Sequence, residues 1–408
     1  MPVALHRRRV DANGVGRYRE LSLEQRRDSV DAASRRVLER NWVATPGFTM
    51  PNRRKYPWQW LWDSCFHAIA WSALGDARGV EELETVLALQ QPDGFVPHMG
   101  YWRKPTASLA LWSAPGRSDI TQPPMYGHAL RVLSARGFAV EHLRDAATAG
   151  LGYLFEHRQD PGSGLIRVVH PWETGCDDSP RWDGWHAEPF KERRWNAKKR
   201  ELVRSIRLRD GAACANPGFD VCSAGFSALV AFNARELGEL TGDQQLLSSA
   251  SALTTAIDAH WLDSHRTWSD VCLAGPRTTS AVRTLDALFP LLVSENPRYL
   301  DAAFAEIFER GSFWRPFGPS GTSADEPSYD PRRYWRGDAW PQEIYLLMVA
   351  AKRCGRHAEA GRLAEKLVEG CVGCGYAERW NPETGAPLGA IPQGWAALAV
   401  EGVRVWTN

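Results

Sequence analysis

Apolar residues recur along this chain at the three- and four-residue spacing of helices, and no other feature limits its fold as much. The spacing predicts about twelve helices, over 23–40, 62–75, 77–91, 121–137, 141–158, 219–242, 243–261, 277–292, 296–311, 338–356, 357–373 and 392–405. No stretch carries a convincing strand pattern. Several even-numbered helices contain apolar runs, such as IYLLMVAA at 344–351, whereas several odd-numbered ones are apolar on one face only. In 357–373 that face is Leu363, Leu367 and Cys371, with Arg362, Glu365, Lys366 and Glu369 covering the others. A helix apolar on most sides is buried, and a one-sided helix lies on the surface. The alternation therefore predicts six inner helices within six outer ones, an all-α (α/α)6 barrel.

The connections support this independently. Those from inner to outer helices are nearly absent, as at Gly75–Asp76, Gly137–Val140 and Arg356–His357. Those from outer to inner are long: 41–61, 92–120, 159–218, 262–276, 312–337 and 374–391. In a ring of hairpins all the long loops emerge on one rim, and long loops in a compact domain are usually functional. We read them as pocket walls. The chain is then a short N-terminal arm, 1–20, followed by one catalytic domain, 21–408.

Bulk properties exclude other classes. A formal charge of +1 offers no footprint for nucleic acid. The basic HRRRV at 6–10 has no apolar stretch after it, so it is not a secretory signal, and no apolar run is long enough to cross a membrane. A cytoplasmic protein is expected. Cys371 and Cys374 form a C-x-x-C without a second ligand pair, which reads as reduced thiols rather than a redox or metal site. The histidines lack ligand spacing, and there is neither a P-loop nor a G-x-G-x-x-G between a strand and a helix. Neither metal nor cofactor is expected.

Tryptophan is the anomaly, with 19 residues, most of them in the long loops. An indole offers a broad apolar face and one N–H donor, which suits a sugar, though some must only close the core. Three acidic clusters share that rim: YPWQWLWD at 56–63, ETGCDDSPRWD at 173–183 and YAERWNPETG at 376–385. Carboxyls among aromatic rings fit general acid–base chemistry on a carbohydrate. Any one such residue is more often a cap or a loop contact. A small carbohydrate is the partner expected, and the oligomeric state is open.

These motifs carry a resemblance. ETGCDDS is similar to the E-[ST]-G-x-D signature of trehalases and glycoside hydrolase family 63, and YWRGDAW at 334–340 to their Y-W-R-G-P-x-W. YAERWNPETG resembles the segment around the family's general base, and QQPDGFVPH at 90–98 and TQPP at 121–124 also fit. The order holds from about residue 56 to 395, and the nearest likeness is to the compact bacterial mannosylglycerate and glucosylglycerate hydrolases. The resemblance implies Asp177 as general acid and Glu378 as general base. It implies that Tyr56, Trp60, Trp62, Asp63, Gln122 and Trp340 surround the sugar, and that Tyr334, Trp335 and Gln393 face the aglycone; Trp172 joins the substrate contacts. It also implies inversion, with the carboxyls roughly 6.5–9.5 Å apart so that a water fits. Among so many tryptophans, desolvation should raise the pKa of Asp177.

The departures matter as much. Asp178 stands where the family usually has Asn, which makes it a competitor for the acid role, and Asp338 replaces a Pro. The family segment from which Arg and Tyr grip glycerate is missing. In its place runs FKERRWNAKKR at 190–200, either a solvated loop or a different clamp through Arg193, Arg194 or Arg200. Arg336 is a further candidate contact, although bracing its own turn is the plainer role. On this basis glucosylglycerate is not expected to be strongly preferred over an uncharged glucoside. The rivals are a glucosylglycerate or mannosylglycerate hydrolase proper, a catalytically impaired sugar-binding barrel, and a sugar epimerase relying on His98 and His186.

Overall fold

A computed structural model describes residues 20–185, 189–273 and 278–406, with the backbone alone for 278–280. The HRRRV stretch and His186 lie outside the described residues.

The barrel is present. Its inner ring comprises α2 (Leu61–Ala73), α4 (Tyr126–Ala135), α7 (Ala224–Thr241), a 3-10 helix at Asp286–Leu292, α10 (Pro341–Arg353), and the 3-10 turn Gly394–Leu398 that runs into α12 (Ala399–Trp406). Each packs on the next, and Gly394–Leu398 packs back on α2, so the ring closes. Outside lie α1 (Leu23–Asn41), α3 (Arg78–Leu87), α5 (Arg144–Arg158), α8 (Gln244–Asp258), α9 (Pro297–Phe308) and α11 (His357–Gly373). In α2 every residue from Leu61 to Ser72 is buried, whereas α11 buries Leu363, Leu367 and Cys371 on one side. The short turns follow from capping. Gly242, at φ 78°, ends α7, and the Asp243 side chain at once accepts from the Gln245 and Leu246 amides that begin α8.

Several elements differ from expectation. The helix read over 121–137 starts at Tyr126, because Pro123 and Pro124 hold the chain extended before it. The span 277–292 divides into a strand, Thr278–Ser280, and the 3-10 helix, whose internal Pro290 lacks the N–H a longer α-helix needs. Strands do occur, mostly as two-residue pairs that stiffen the long loops, such as Gln59–Trp60 with Met99–Gly100 and Arg379–Trp380 with Pro387–Leu388. One four-stranded sheet joins Arg167–Val168, Val221–Cys222, Asp270–Cys272 and Thr278–Ser280. The basic run 190–200 is not a loop: it lies within α6 (Glu192–Arg204), which buries Trp195, Lys199 and Leu202 at helical spacing. Among the described residues no helix is long and apolar enough to cross a membrane.

Candidate active site

The long loops enclose a pocket of about 550 Å³ on the expected rim. Its wall includes Tyr56, Trp60, Trp62, Asp63, Gln122, Trp172, Asp177, Tyr334, Glu378 and Gln393.

Glu378 follows α11 in a loop whose geometry leaves its carboxyl little freedom. Tyr56 donates its hydroxyl to Oε1 at 2.7 Å, while the Lys55 ammonium and the Ala390 amide donate to Oε2 at 3.0 and 2.7 Å. Gly389, at φ 77°, makes room for that oxygen: a Cβ there would lie 2.1 Å from Oε2. Burial, and then the Glu378 charge, push the Tyr56 hydroxyl far up, so it stays a donor. Asp63 sits in the first turn of α2, and burial, with Glu378 nearby, holds its carboxyl well above the usual range.

Asp177 lies on another loop of the same pocket, and that loop is anchored from beneath. Glu173 is wholly buried and takes both arms of the Arg158 guanidinium at 2.9 and 3.0 Å, with the Val169 amide at 2.7 Å. Trp182 and Trp195 donate their indole N–H to the carbonyls of Cys176 and Asp177, both at 2.8 Å. Arg181 ties the same loop to Asp270 and Asp286. The Asp177 carboxylate itself accepts from the Lys199 ammonium at 2.5 Å, and the same ammonium reaches Asp178. The carboxyl that burial raises here is that of Asp178: desolvation, with Asp177 beside it, outweighs Lys199 and brings it to about 7.

Four buried polar atoms of wall residues have no partner among the described residues: Trp60 Nε1, Gln122 Oε1, Arg379 Nε and Gln393 Oε1. Unmet groups of this kind are costly, and sugar hydroxyls would satisfy them. Trp62 and Trp395 meet edge to face, adding apolar surface.

Three residues of the YWRGDAW turn stand behind the wall rather than on it. Trp335 stacks on the fully buried Trp340 at 3.7 Å, with Tyr334 between them and the pocket. Arg336 grips Asp183 through two bonds of 2.7 and 2.6 Å and covers the Phe190 ring, so it braces the acid loop. Arg193, Arg194 and Arg200 face solvent. Asp338 accepts from Arg379 at 2.5 Å and from Trp340 at 2.9 Å, and so fixes a guanidinium on the wall that sequence reasoning missed. Lys55, Asn196, Lys199, Arg332 and Trp395 were also missed. The only signal for Lys199 and Asn196 is the spacing of Trp195 and Leu202 within a run of charges.

His98 is buried, bonded to Ser118 at 2.6 Å, and burial depresses it to about 3, so it is a neutral packing group. Among the described residues one trio of metal-ligand types lies together, Cys176, Asp286 and Glu343, with ligand atoms within 4.8 Å of one another. Asp286 is already paired with Arg181, and burial pushes the other two well up, so the trio does not offer free anionic ligands. The Cys371 and Cys374 thiols are buried and likewise raised.

A family model described as the mannosylglycerate hydrolase MGH1-like glycoside hydrolase domain matches residues 56–396. The chain is similar to the mannosylglycerate hydrolase of Thermus thermophilus, 27% identical, over 91% of this chain and 99% of that one. It is 29% identical to the glucosylglycerate hydrolase of Mycolicibacterium hassiacum, over 85% and 91% of the two chains. Among solved structures it is similar to a family 63 mannosylglycerate hydrolase, also of Thermus thermophilus, in complex with Tris and D-glycerate. That match has a TM-score of 0.81 at 25% identity and covers 93% of this chain and 100% of the other.

Proposed function

Since this chain belongs to the mannosylglycerate hydrolase MGH1-like family of glycoside hydrolases, we propose that it hydrolyses an α-glucosyl or α-mannosyl glycerate with inversion. Asp177 is the general acid and Glu378 the general base. The observation that carries this reading is that both carboxyls line one pocket, together with Trp60, Trp62, Trp395, Gln122 and Gln393.

In the step proposed, Asp177 gives its proton to the glycosidic oxygen as the C–O bond breaks. A water attacks the anomeric carbon from the other face and passes its proton to Glu378. Tyr56 and Lys55, donating to Glu378, keep its carboxylate aimed. Asp63 and the unmet wall atoms hold sugar hydroxyls. Glycerate as aglycone is supported by the relatives' names and by cations on the wall, Lys199 and Arg332. This replaces the indifference to charge expected from the missing glycerate-gripping segment.

The test is stereochemical. Proton NMR of the first sugar released from an α-glucoside should show the β-anomer before mutarotation. An initial α-anomer would mean retention, carboxyls of about 5–5.5 Å separation, and a different role for Glu378.

A further inference from the structure

The general acid required by the reading above is, in this structure, tied up. Asp177 accepts a 2.5 Å bond from the Lys199 ammonium, so that oxygen is already occupied by a cation. Lys199 also binds Asp178, and its side chain is only 4% exposed although it lines the pocket. An ammonium has three N–H donors. The third has no acceptor among the described residues.

Asp178 is the carboxyl placed to supply a proton. It follows Asp177 in the chain and shares the Lys199 ammonium with it, and burial together with the Asp177 charge raises it to about 7. The other groups around the pair do not supply one. His170, whose ring reaches the Lys199 carbonyl at 2.9 Å, is depressed to about 4 and is neutral. Of the pair, Arg336 reaches only the Asp178 carbonyl, and Tyr334, Tyr56 and the Cys176 thiol are all held protonated above the working range.

The remaining cations on the wall are placed differently. Arg379 is committed to Asp338, Lys55 to Glu378, and Arg333 to Asp330 at 3.6 Å, while Arg332 is exposed at the mouth. Among the described residues Lys199 alone stands beside the acid, which is where the leaving oxygen must be. Where the sugar is carried on the 2-hydroxyl of glycerate, the carboxyl carbon is bonded to the carbon that bears that oxygen.

We infer that Lys199 is the receptor for the aglycone's carboxylate, and that in binding it Lys199 gives up Asp177, which is thereby freed to act as the acid. The inference rests on the glycerate glycosidase reading. The proton passes from Asp178 to the adjacent Asp177, leaving Asp178 as a carboxylate on Lys199 beside the substrate's. Asp177 then delivers that proton to the glycosidic oxygen. After glycerate leaves, Lys199 returns to Asp177 and the pair regains one proton from solvent. An uncharged aglycone cannot perform this exchange, so it meets an acid that is still ion-paired.

Two measurements on the full chain separate this from the function itself. Calorimetric titration with D-glycerate, against glycerol as a neutral control, reads the receptor without turnover. Hydrolysis of glucosylglycerate and of glucosylglycerol reads the reaction. Lys199→Gln should weaken glycerate binding about 10- to 100-fold, the scale of a lost charge-assisted hydrogen bond, and bring the kcat/KM ratio of charged to neutral substrate close to one. Lys199→Arg, which keeps the cation if glutamine destabilises the fold, should retain most of both. Glycerate binding unchanged in Lys199→Gln, or lost instead in Arg332→Gln, overturns the assignment. Glycerate bound through Lys199 by a protein that hydrolyses neither glycoside would uphold the receptor and remove the function.

Discussion

Replacing Gly389 by alanine perturbs the proposed base without altering any charged group. Gly389 has φ 77°, where an L-residue is strained by roughly 1–2 kcal/mol. A Cβ there would also lie 2.1 Å from Glu378 Oε2 and 2.8 Å from Glu378 Cβ. Relieving the first contact to an ordinary 3.4 Å moves the carboxyl oxygen by about 1.3 Å. A misplacement on the order of 1 Å at a reacting group costs about 100-fold in rate. Gly375, in the same loop at φ 67°, is the matched control, because a Cβ there meets nothing within 4 Å. Both alanine variants should therefore lose stability in urea denaturation, Gly389→Ala the more because of its clash, while kcat falls about 100-fold or more in Gly389→Ala alone. If Gly389→Ala folds and keeps wild-type kcat, or if the control loses as much activity, Glu378 does not need this position and is not the base.

Three other outcomes are expected. Asp177→Ala and Glu378→Ala should each abolish hydrolysis with an unchanged far-UV circular dichroism spectrum; an active Asp177→Ala beside a dead Asp178→Ala would transfer the acid role to Asp178. Glu173→Gln breaks a fully buried pair with Arg158 and should destabilise by about 3–5 kcal/mol in urea, and a loss under about 1 kcal/mol would show that the acid loop is not anchored there. Burial raises Glu82 from 4.5 to about 8, so the folded protein holds a proton that the unfolded chain has lost, and stability falls as pH rises from about 4.5 to about 8. Glu82→Gln should abolish that slope, matching the wild type at pH 4 and exceeding it at pH 9 by a few kcal/mol on the linkage scale of roughly 1.4 kcal/mol per unit; parallel urea midpoints across pH would contradict this.

The barrel is readable in the sequence because its two signals are strong and independent. An inner helix such as α2 has no polar face to misread, and the loop lengths alternate whatever the loops contain. The wall is harder. Motif order locates the YWRGDAW turn but cannot say that Trp335, Arg336 and Trp340 face inward to pack and brace while Tyr334 meets the pocket. The Asp338–Arg379 pair spans 41 positions, beyond the reach of local pattern. Lys199 is hidden in a run so charged that its helical stripe rests on two apolar residues. Tryptophan content points to desolvation near the acid, but which of two adjacent carboxyls it raises depends on side-chain directions that spacing does not encode.

The ring closes through helices from opposite ends of the described chain, since α12 packs on α1 and Arg404 binds Asp31 across 373 positions. Contacts so distant in sequence form late and fold slowly. On the ribosome the growing chain is thus an open horseshoe, with Val30, Val37 and Leu38 of α1 waiting for a partner not yet made. The base loop waits with them, because the Tyr376 hydroxyl reaches Ser34 and Val30 on α1. If Glu378 is the base, hydrolysis is expected to begin only when the last helix docks. The onset of activity in a translation reaction would time that event, and the exposed seam is where a chaperone or a second nascent chain would intervene.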